Sequence, residues 1–163
     1  MAADRQKLLD KAERLASRGK LNAAIDVFRK VINAFPDDTS TINRVGDIYV
    51  RLKRIDDAIE LFRLAAENFE HQGFFVKAIA INKKILRIDT SQIEVSEGLA
   101  DLQHRQGLLS DARRQYQAVA DSYQDRGDVE SAIAAQIYEI HVKTIHQGSV
   151  IVPLGFWSLV PLH

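Results

Sequence analysis

The five histidines are the residues whose side chains could most readily bind a metal ion or transfer a proton near neutral pH. They are His71, His104, His141, His146 and His163. No two of them are four residues apart, as two ligands on one helical face would be, and no carboxylate is spaced to complete a three-ligand site. Cysteine is absent, which excludes a disulfide framework, a thiolate zinc site and a cysteine nucleophile. The sequence therefore predicts no metal ion and no other cofactor.

The other polar residues do not form a catalytic constellation. Neither the GxGxxG pattern nor the GxxxxGKS or GxxxxGKT pattern of phosphate-binding loops occurs. No serine stands in a nucleophile-elbow motif. The acidic pairs Asp37-Asp38 and Asp56-Asp57 stand where helices are predicted to begin, and helix capping explains them. We therefore expect a protein that is not an enzyme.

Composition narrows the class of protein further. The 163 residues include 22 Lys and Arg residues and 22 Asp and Glu residues, so the formal net charge is zero. This neutrality argues against a nucleic-acid partner, which normally requires a basic surface. A hydrophobic content of 46% and a charged content of 27% are typical of a soluble globular chain. The first ten residues are polar and lack the apolar core of a secretory signal, so we expect a cytoplasmic protein.

Apolar residues recur with helical spacing from about residue 4 to about residue 143. Gly19 and Gly73 are typical of helix ends, Pro36 ends a helix, and Thr39 offers a capping hydroxyl to the next one. The predicted helices are eight in number. They cover about residues 4–18, 21–34, 39–52, 56–71, 75–87, 92–106 and 109–124, and the eighth runs from residue 129 to residue 141 or a little beyond. Short turns between them predict an all-α antiparallel stack.

An internal repeat runs through these helices. A frame of glycine, four residues and Ala-Ile occurs at Gly19, Gly73 and Gly127, at intervals of 54 residues. Alanines recur along the repeat at positions where we expect neighbouring helices to lie closest together. Their separations alternate between 34 and 20 residues, and they are Ala24, Ala58, Ala78, Ala112 and Ala132. Such regularity is typical of stacked supersecondary units, here of three helices each.

The residue pattern resembles that of the tetratricopeptide repeat family. The segment 5–38 carries the small, aromatic and proline positions of that pattern at Ala12, Leu15, Gly19, Ala24, Phe28, Val31 and Pro36. The segment 39–72 carries Gly46, Tyr49, Ala58 and Phe62, but has Lys53 in place of the glycine. The resemblance extends over about residues 5–141 and implies a solenoid of antiparallel helix hairpins that winds as a right-handed superhelix. We accordingly predict a helical repeat domain over residues 1–143.

This resemblance implies a protein–protein interaction scaffold or adaptor, with a groove that binds a partner protein or peptide. The groove positions would be Asn43, Arg44, Asp47 and Arg51, with counterparts at Glu97, Asp101 and Arg105. Because Asp47–Arg51 and Asp101–Arg105 have i, i+4 spacing, surface ion pairs are the simpler interpretation of those four residues. Leu9 and Glu13 stand where some members carry the Lys and Asn that clamp a terminal carboxylate, so that binding mode is not expected.

Two further interpretations of function stay open. The chain could be a helper domain of a larger enzyme, secretion or motility complex, without a ligand of its own. An uncapped end of an array can also stack on a copy of itself, so a homo-oligomer is compatible with the sequence.

Aromatic residues are concentrated around one predicted junction, between the third and fifth helices. They are Tyr49, Phe62, Phe69, Phe74 and Phe75. Packing in the core is the simpler interpretation for most of them. Adjacent Phe74 and Phe75 cannot easily both point inward, so we hypothesise that one is exposed and marks a contact patch for a partner.

Residues 144–163 do not continue the repeat and form a predicted apolar tail. The stretch from Gln147 to Leu162 has no charged residue and includes the only tryptophan, Trp157. It is too short and too rich in proline and glycine for a transmembrane helix, so we expect no stable membrane insertion. Three interpretations remain open: a cap on the last helix pair, a segment that contacts a partner or a membrane surface, or the product of a truncation or frame change.

Overall fold

The structure is a computed structural model that describes residues 2–146, with side-chain environments for residues 4–144. Within that range it contains eight α-helices and no strand, which confirms the predicted all-α class. The helices are α1 Ala2–Ser17, α2 Leu21–Ala34, α3 Thr39–Arg51, α4 Ile55–His71, α5 Phe75–Ile88, α6 Ile93–Arg105, α7 Leu109–Asp125 and α8 Val129–His146. The last helix, α8, was predicted to end at His141 or a little beyond, and it ends at His146. The division into a domain of residues 1–143 and a tail of residues 144–163 stays a prediction, since residues 147–163 lie outside the described range.

The described chain divides within α5 into two compact units, between Ile81 and Asn82. Unit 1 contains α1 to α4 and the first half of α5. Unit 2 contains the second half of α5 and α6 to α8. None of the described helices is long and apolar enough to cross a bilayer.

Five of the seven turns between helices close in the same way. Each has a residue with positive φ after the helix: Gly19, Lys53, Gly73, Gly107 and Gly127, with φ between 61° and 78°. At the third of these, the N–H of Gly73 donates to the carbonyl of Glu70 at 2.9 Å, and the N–H of Phe74 donates to the carbonyl of Phe69 at 2.7 Å. The same two bonds recur at the other four turns. This is the Schellman arrangement, which satisfies carbonyls that a helix end leaves without partners.

In unit 1, α1 packs on α2, α2 on α3 and α3 on α4. Helices α3 and α4 approach closely at Gly46, which lies against the ring of Phe62, a side chain that is fully buried. Unit 1 also contains Ala24, Ala58 and Ala78, which are completely buried. The burial of these alanines agrees with the prediction that small residues lie between packed helices.

A carboxylate at the start of α3 connects that helix to α1. Asp38 accepts hydrogen bonds from the backbone N–H of Thr41 at 3.2 Å and from its hydroxyl at 2.7 Å. The guanidinium of Arg5 donates to the same carboxylate at 2.5 and 3.1 Å. Burial raises the pKa of Asp38, but the hydrogen bonds from Thr41 and Arg5 outweigh this and hold it below the ordinary value. Asp38 is therefore both a helix cap and a tie between two helices.

In unit 2, α6 packs on α7 and α7 on α8. Two groups of buried side chains fill the space between these helices. One contains Ile93, Val119, Ala120 and Ala135; the other contains Ala100, Ala112, Tyr116 and Val142, with Leu109 and Tyr138 packed against it. Tyr116 and Tyr138 of the second group also line the candidate site.

Candidate partner-binding site

A cavity of about 270 Å³ lies between α6, α7 and α8 in unit 2. Its lining residues are Asp101, His104 and Arg105 from α6, Tyr116 from α7, and Ile137, Tyr138 and His141 from α8. Two of these, Asp101 and Arg105, are among the residues predicted to face a groove. The cavity is therefore a concave surface that contains two of the predicted contact residues.

The helical repeat explains why these side chains converge. Residues three and four positions apart share one face of a helix, which places Asp101, His104 and Arg105 together on α6. The same spacing places Ile137 or Tyr138 beside His141 on α8. Since α7 packs against both helices, its Tyr116 enters between the two faces.

Tyr116 is the central residue of the cavity wall. Its side chain is 4% exposed, and its hydroxyl donates a hydrogen bond to Oδ1 of Asp101. Its ring stacks on the ring of Tyr138 with centroids 5.4 Å apart and an angle of 16° between the planes. Burial, followed by the hydrogen bond to Asp101, raises the pKa of Tyr116 well above the ordinary value of a phenol. Tyr116 consequently stays protonated and keeps its hydroxyl as a donor across the physiological pH range.

Two histidine rings line the same cavity. His104 and His141 meet edge to face with centroids 6.0 Å apart. Burial and the neighbouring His141 lower the pKa of His104, against the opposing charge of Asp101. His104 is thus mainly neutral at pH 7 and can either donate or accept a hydrogen bond. In the part of the chain that the structure describes, no three His, Asp or Glu side chains are grouped to hold a metal ion.

Two lining positions of this cavity are apolar in the first copy of the repeat. A shift of 54 residues places Phe62 at the position of Tyr116 and Val50 at that of His104. Phe62 has no hydroxyl to donate to Asp47, the counterpart of Asp101. The hydrogen bond between Tyr116 and Asp101 is therefore particular to the second copy.

The structure places the other predicted contact residues elsewhere. Arg44 lies 3.4 Å from Glu13 of α1, so it is part of an exposed ion pair. Asp47 and Arg51 are exposed on α3, and Asn43 is half-buried beside them. The Asp47–Arg51 ion pair and a role for these residues in partner contact stay predictions.

Glu97 lies one turn before Asp101 on α6 but outside the cavity lining. Burial raises the pKa of Glu97, although a hydrogen bond with Tyr123 of α7 partly counters this. Burial and the charge of Glu97 in turn raise the pKa of Tyr123 to about 12. This pairing connects Glu97 to the packing of α6 on α7.

Phe74 and Phe75 differ in exposure, as the sequence hypothesis supposed. The side chain of Phe74 is 49% exposed, whereas Phe75 is half-buried. The ring of Phe74 packs edge to face on Phe69 at 6.3 Å, and the ammonium group of Lys77 lies 4.4 Å from the centroid of Phe74. Phe69 and Phe74 are the two residues whose side chains meet across a Schellman turn. The position of Phe74 thus has a structural cause, and its role as a partner contact stays a prediction.

Sequence reasoning missed most of the cavity lining. The spacing of His104 and His141 argues against a metal site but does not predict that both rings line a cavity, and the apolar periodicity does not distinguish Tyr116 or Tyr138 from core residues. The available signal was the repeat alignment, in which Tyr116 replaces Phe62 and so adds one hydroxyl to a position otherwise reserved for core packing.

Residues 9–73 match the family model described as tetratricopeptide repeat. No curated protein matches the chain. Among solved structures, the chain is similar to a crystal structure of MamA protein, with 17% identity, a TM-score of 0.39, and coverage of 94% of this chain and 100% of that one. It is also similar to YrrB, described as a TPR protein with an unusual peptide-binding site, with 16% identity, a TM-score of 0.35, and coverage of 86% and 87%. A third is the type III secretion translocator chaperone SycD of Yersinia enterocolitica, with 13% identity, a TM-score of 0.38, and coverage of 90% and 88%.

Similarity to solved structures at this level carries no argument about function or partner. The family match lies within unit 1, so α6 to α8 and their cavity are outside the matched residues. The family match covers 65 of the 163 residues and agrees with the resemblance that the residue pattern shows in the segments 5–38 and 39–72.

Proposed function

We propose that this protein is a non-enzymatic, cytoplasmic scaffold or adaptor that binds a peptide segment of a partner protein at the cavity between α6, α7 and α8. The observation that carries the proposal is the meeting of Asp101 and Arg105 with the Tyr116–Tyr138 stack in one concave surface. Helical repeats expose long faces that are suited to peptides, which is the general reason to expect an interaction scaffold.

The chemistry of the lining suits a side chain with an apolar body and a polar end. The ring of Tyr138 and the side chain of Ile137 supply apolar contact, while Asp101 and Arg105 supply an acceptor and a donor fork at the rim. Binding sites of this kind combine mainly apolar walls with a few placed polar groups. Tyr116 holds Asp101 in place, which limits the entropy lost when a partner binds.

Arg105 and Arg51 provide a matched test, because they occupy the same position in the two copies of the repeat. The intact chain, Arg105→Glu and Arg51→Glu would each be used to recover partners from the source cells, with mass spectrometry as the readout. We expect Arg105→Glu to lose a partner that the intact chain and Arg51→Glu both retain. Tyr138→Ala, which removes one ring of the stack, should lose the same partner.

Circular dichroism and thermal melting of each variant would show whether the helices stay folded. Equal recovery of every partner by a folded Arg105→Glu variant would contradict binding at this cavity. Recovery of only a large complex, unchanged by either cavity substitution, would instead favour a helper domain without its own ligand.

A further inference from the structure

His104 of α6 and His141 of α8 form a direct contact between two helices that both pack on α7. Their rings meet edge to face, with centroids 6.0 Å apart and an angle of 72° between the planes. Both side chains are half-buried, and both line the cavity. We call these two residues the histidine pair. The contact is sensitive to pH, because an imidazole gains a proton just below neutral pH.

Four other side chains of the cavity lining act on the charge of the histidine pair. Asp101 and Arg105 lie on α6, Tyr116 enters from α7, and Tyr138 lies one turn before His141 on α8. Asp101 is the one carboxylate among these lining residues, and it already accepts a hydrogen bond from the hydroxyl of Tyr116. Arg105 is a permanent cation. The charges of Asp101 and Arg105 offset each other, so a proton on either imidazole adds a positive charge that the lining does not neutralise.

Protonation of the histidine pair is unfavourable in this position. Burial lowers the pKa of His104 below the ordinary value of 6.5, the neighbouring His141 lowers it further, and Asp101 opposes these two effects. The folded state therefore binds this proton less readily than the unfolded chain does. The contribution of His104 to stability is consequently present above about pH 6.5 and is lost as the pH falls from there through the folded-state pKa.

The two halves of α8 are held by different contacts. Ala135, in the first half, packs in the buried group that contains Ile93 and Val119. The second half carries His141 and Val142, and Val142 packs in the other buried group. A positive charge at the histidine pair therefore acts on the second half of α8, while the contacts of the first half stay in place.

We propose that the histidine pair is an acid-sensitive contact, which holds the second half of α8 against α6 at neutral pH and releases it, opening the cavity, when the pair gains protons. Histidine clusters that separate on protonation are a general means by which proteins respond to pH. Because the pair lines the cavity, the same protons would also change the charge that a partner meets there. The contact is present in the free protein, so its test does not depend on the proposed binding of a peptide.

Hydrogen exchange of the backbone amides supplies the first test, at about pH 7.5 and about pH 5.5, which bracket the ordinary pKa of histidine. After correction for the intrinsic effect of pH, exchange at residues 138–144 should be about tenfold faster or more at the lower pH, since nearby positive charges repel each other. Residues 129–135 should change much less. The variant His104→Gln/His141→Gln cannot gain these protons, so it should exchange equally at both pH values. Equal exchange of the intact chain at both pH values would contradict the proposal, as would an undiminished acid response of the double variant.

His71→Gln and Glu97→Gln are the controls. His71 is an exposed histidine of α4 in unit 1. Glu97 lies on α6 outside the cavity lining, and burial raises the pKa of its carboxyl group towards the same pH range. Both variants should keep the acid response of the intact chain. Loss of the response in Glu97→Gln would assign it to that carboxyl group and overturn the proposal.

A second measurement covers the case in which the double variant does not keep its helices, as judged by circular dichroism. NMR titration of the imidazole protons would give the midpoint of His104 in the intact chain and in His141→Gln. Because the charge of His141 lowers the pKa of His104, this midpoint should rise in His141→Gln. An unchanged midpoint would show that the two rings are not coupled, and the proposal would fail.

Discussion

A Cβ atom added at Gly46 would lie 2.5 Å from Cε1 of Phe62, closer than two carbon atoms can approach without a shift of one of them. Since the ring of Phe62 is fully buried, it has no solvent-filled space into which to move. The absence of a side chain at Gly46 of α3 is therefore what allows Phe62 of α4 to pack this closely.

Gly46→Ala should lower the stability of unit 1 even though alanine favours helices. Overpacking against Phe62 costs about 1–3 kcal/mol, while the gain in helix propensity is about 1 kcal/mol. We therefore expect a net loss of up to about 2 kcal/mol in the free energy of unfolding, measured by urea unfolding.

Gly98→Ala is the control for that substitution. Gly98 lies inside α6, and no atom stands within 4 Å of an added Cβ at that position. Here only the propensity term remains, so stability should rise by about 1 kcal/mol. If Gly46→Ala and Gly98→Ala changed the free energy of unfolding in the same direction, the proposed contact between Gly46 and Phe62 would not be what limits the α3–α4 packing.

Lys53→Gly should stabilise the protein. Lys53 is the one non-glycine residue with positive φ in the described chain, and its φ of 61° falls in the left-handed region. That conformation costs an ordinary residue about 1 kcal/mol, and Lys53→Gly removes this cost. Because glycine makes the unfolded chain more flexible, part of the gain in stability is offset.

The converse substitution at an equivalent turn, Gly107→Ala, should lower the free energy of unfolding by about 1 kcal/mol. No atom within 4 Å obstructs a Cβ at Gly107, so the effect would report the backbone alone. A stabilising Gly107→Ala would contradict the left-handed conformation of these turns.

Asp38→Ala should weaken the start of α3 and its tie to α1. Loss of the cap to Thr41 and of the contact with Arg5 should together cost about 1–2 kcal/mol. Asp38→Asn keeps a capping oxygen but removes the charge, so it should cost less. Because the folded-state pKa of Asp38 lies below its ordinary value of 3.8, its contribution is present above about pH 4 and is lost as the pH falls further.

A series of chemical unfolding curves between pH 2.5 and pH 7 would check this, with pH values chosen to bracket the ordinary range of a carboxyl group, about 4. The difference in stability between the intact chain and Asp38→Ala should shrink at the acid end. A difference that stays constant with pH would show that the ionised carboxylate is not what ties the helices together.

Tyr116→Phe should change how stability depends on alkaline pH. The folded-state pKa of Tyr116 is raised above the ordinary 10.0, so the unfolded chain loses this proton first. The contribution of Tyr116 is therefore complete below about pH 10 and is lost as the pH rises. The intact chain should lose stability more steeply than Tyr116→Phe above that pH.

Tyr123→Phe offers a comparison, since the pKa of Tyr123 is also raised, to about 12. It should act in the same direction without disturbing the hydrogen bond to Asp101. Indistinguishable alkaline slopes for the intact chain and Tyr116→Phe would contradict the buried position of the Tyr116 hydroxyl.

The helices and turns were predictable because their causes are local. Gly73 ends α4 through its own backbone conformation. Pro36 cannot continue a helix, and α2 ends two residues before it. The buried alanines were predictable because the repeat places each one at the same helix contact. The cavity was not, because it depends on which faces of α6, α7 and α8 meet. Asp101 and Arg105 were identified from the repeat, whereas Tyr138 meets Tyr116, and His141 meets His104, only in the folded packing of the helices.

In the five Schellman turns, the backbone geometry does not depend on which side chain follows the left-handed residue. Their closing hydrogen bonds all involve backbone atoms, so the side chain that follows each left-handed residue is not needed to form the turn. Those side chains are correspondingly diverse: Lys20, Arg54, Phe74, Leu108 and Asp128. The backbone of such a turn thus accepts a charged, an aromatic or an aliphatic side chain at this position, and each side chain is free to make contacts of its own without a change in the closing hydrogen bonds.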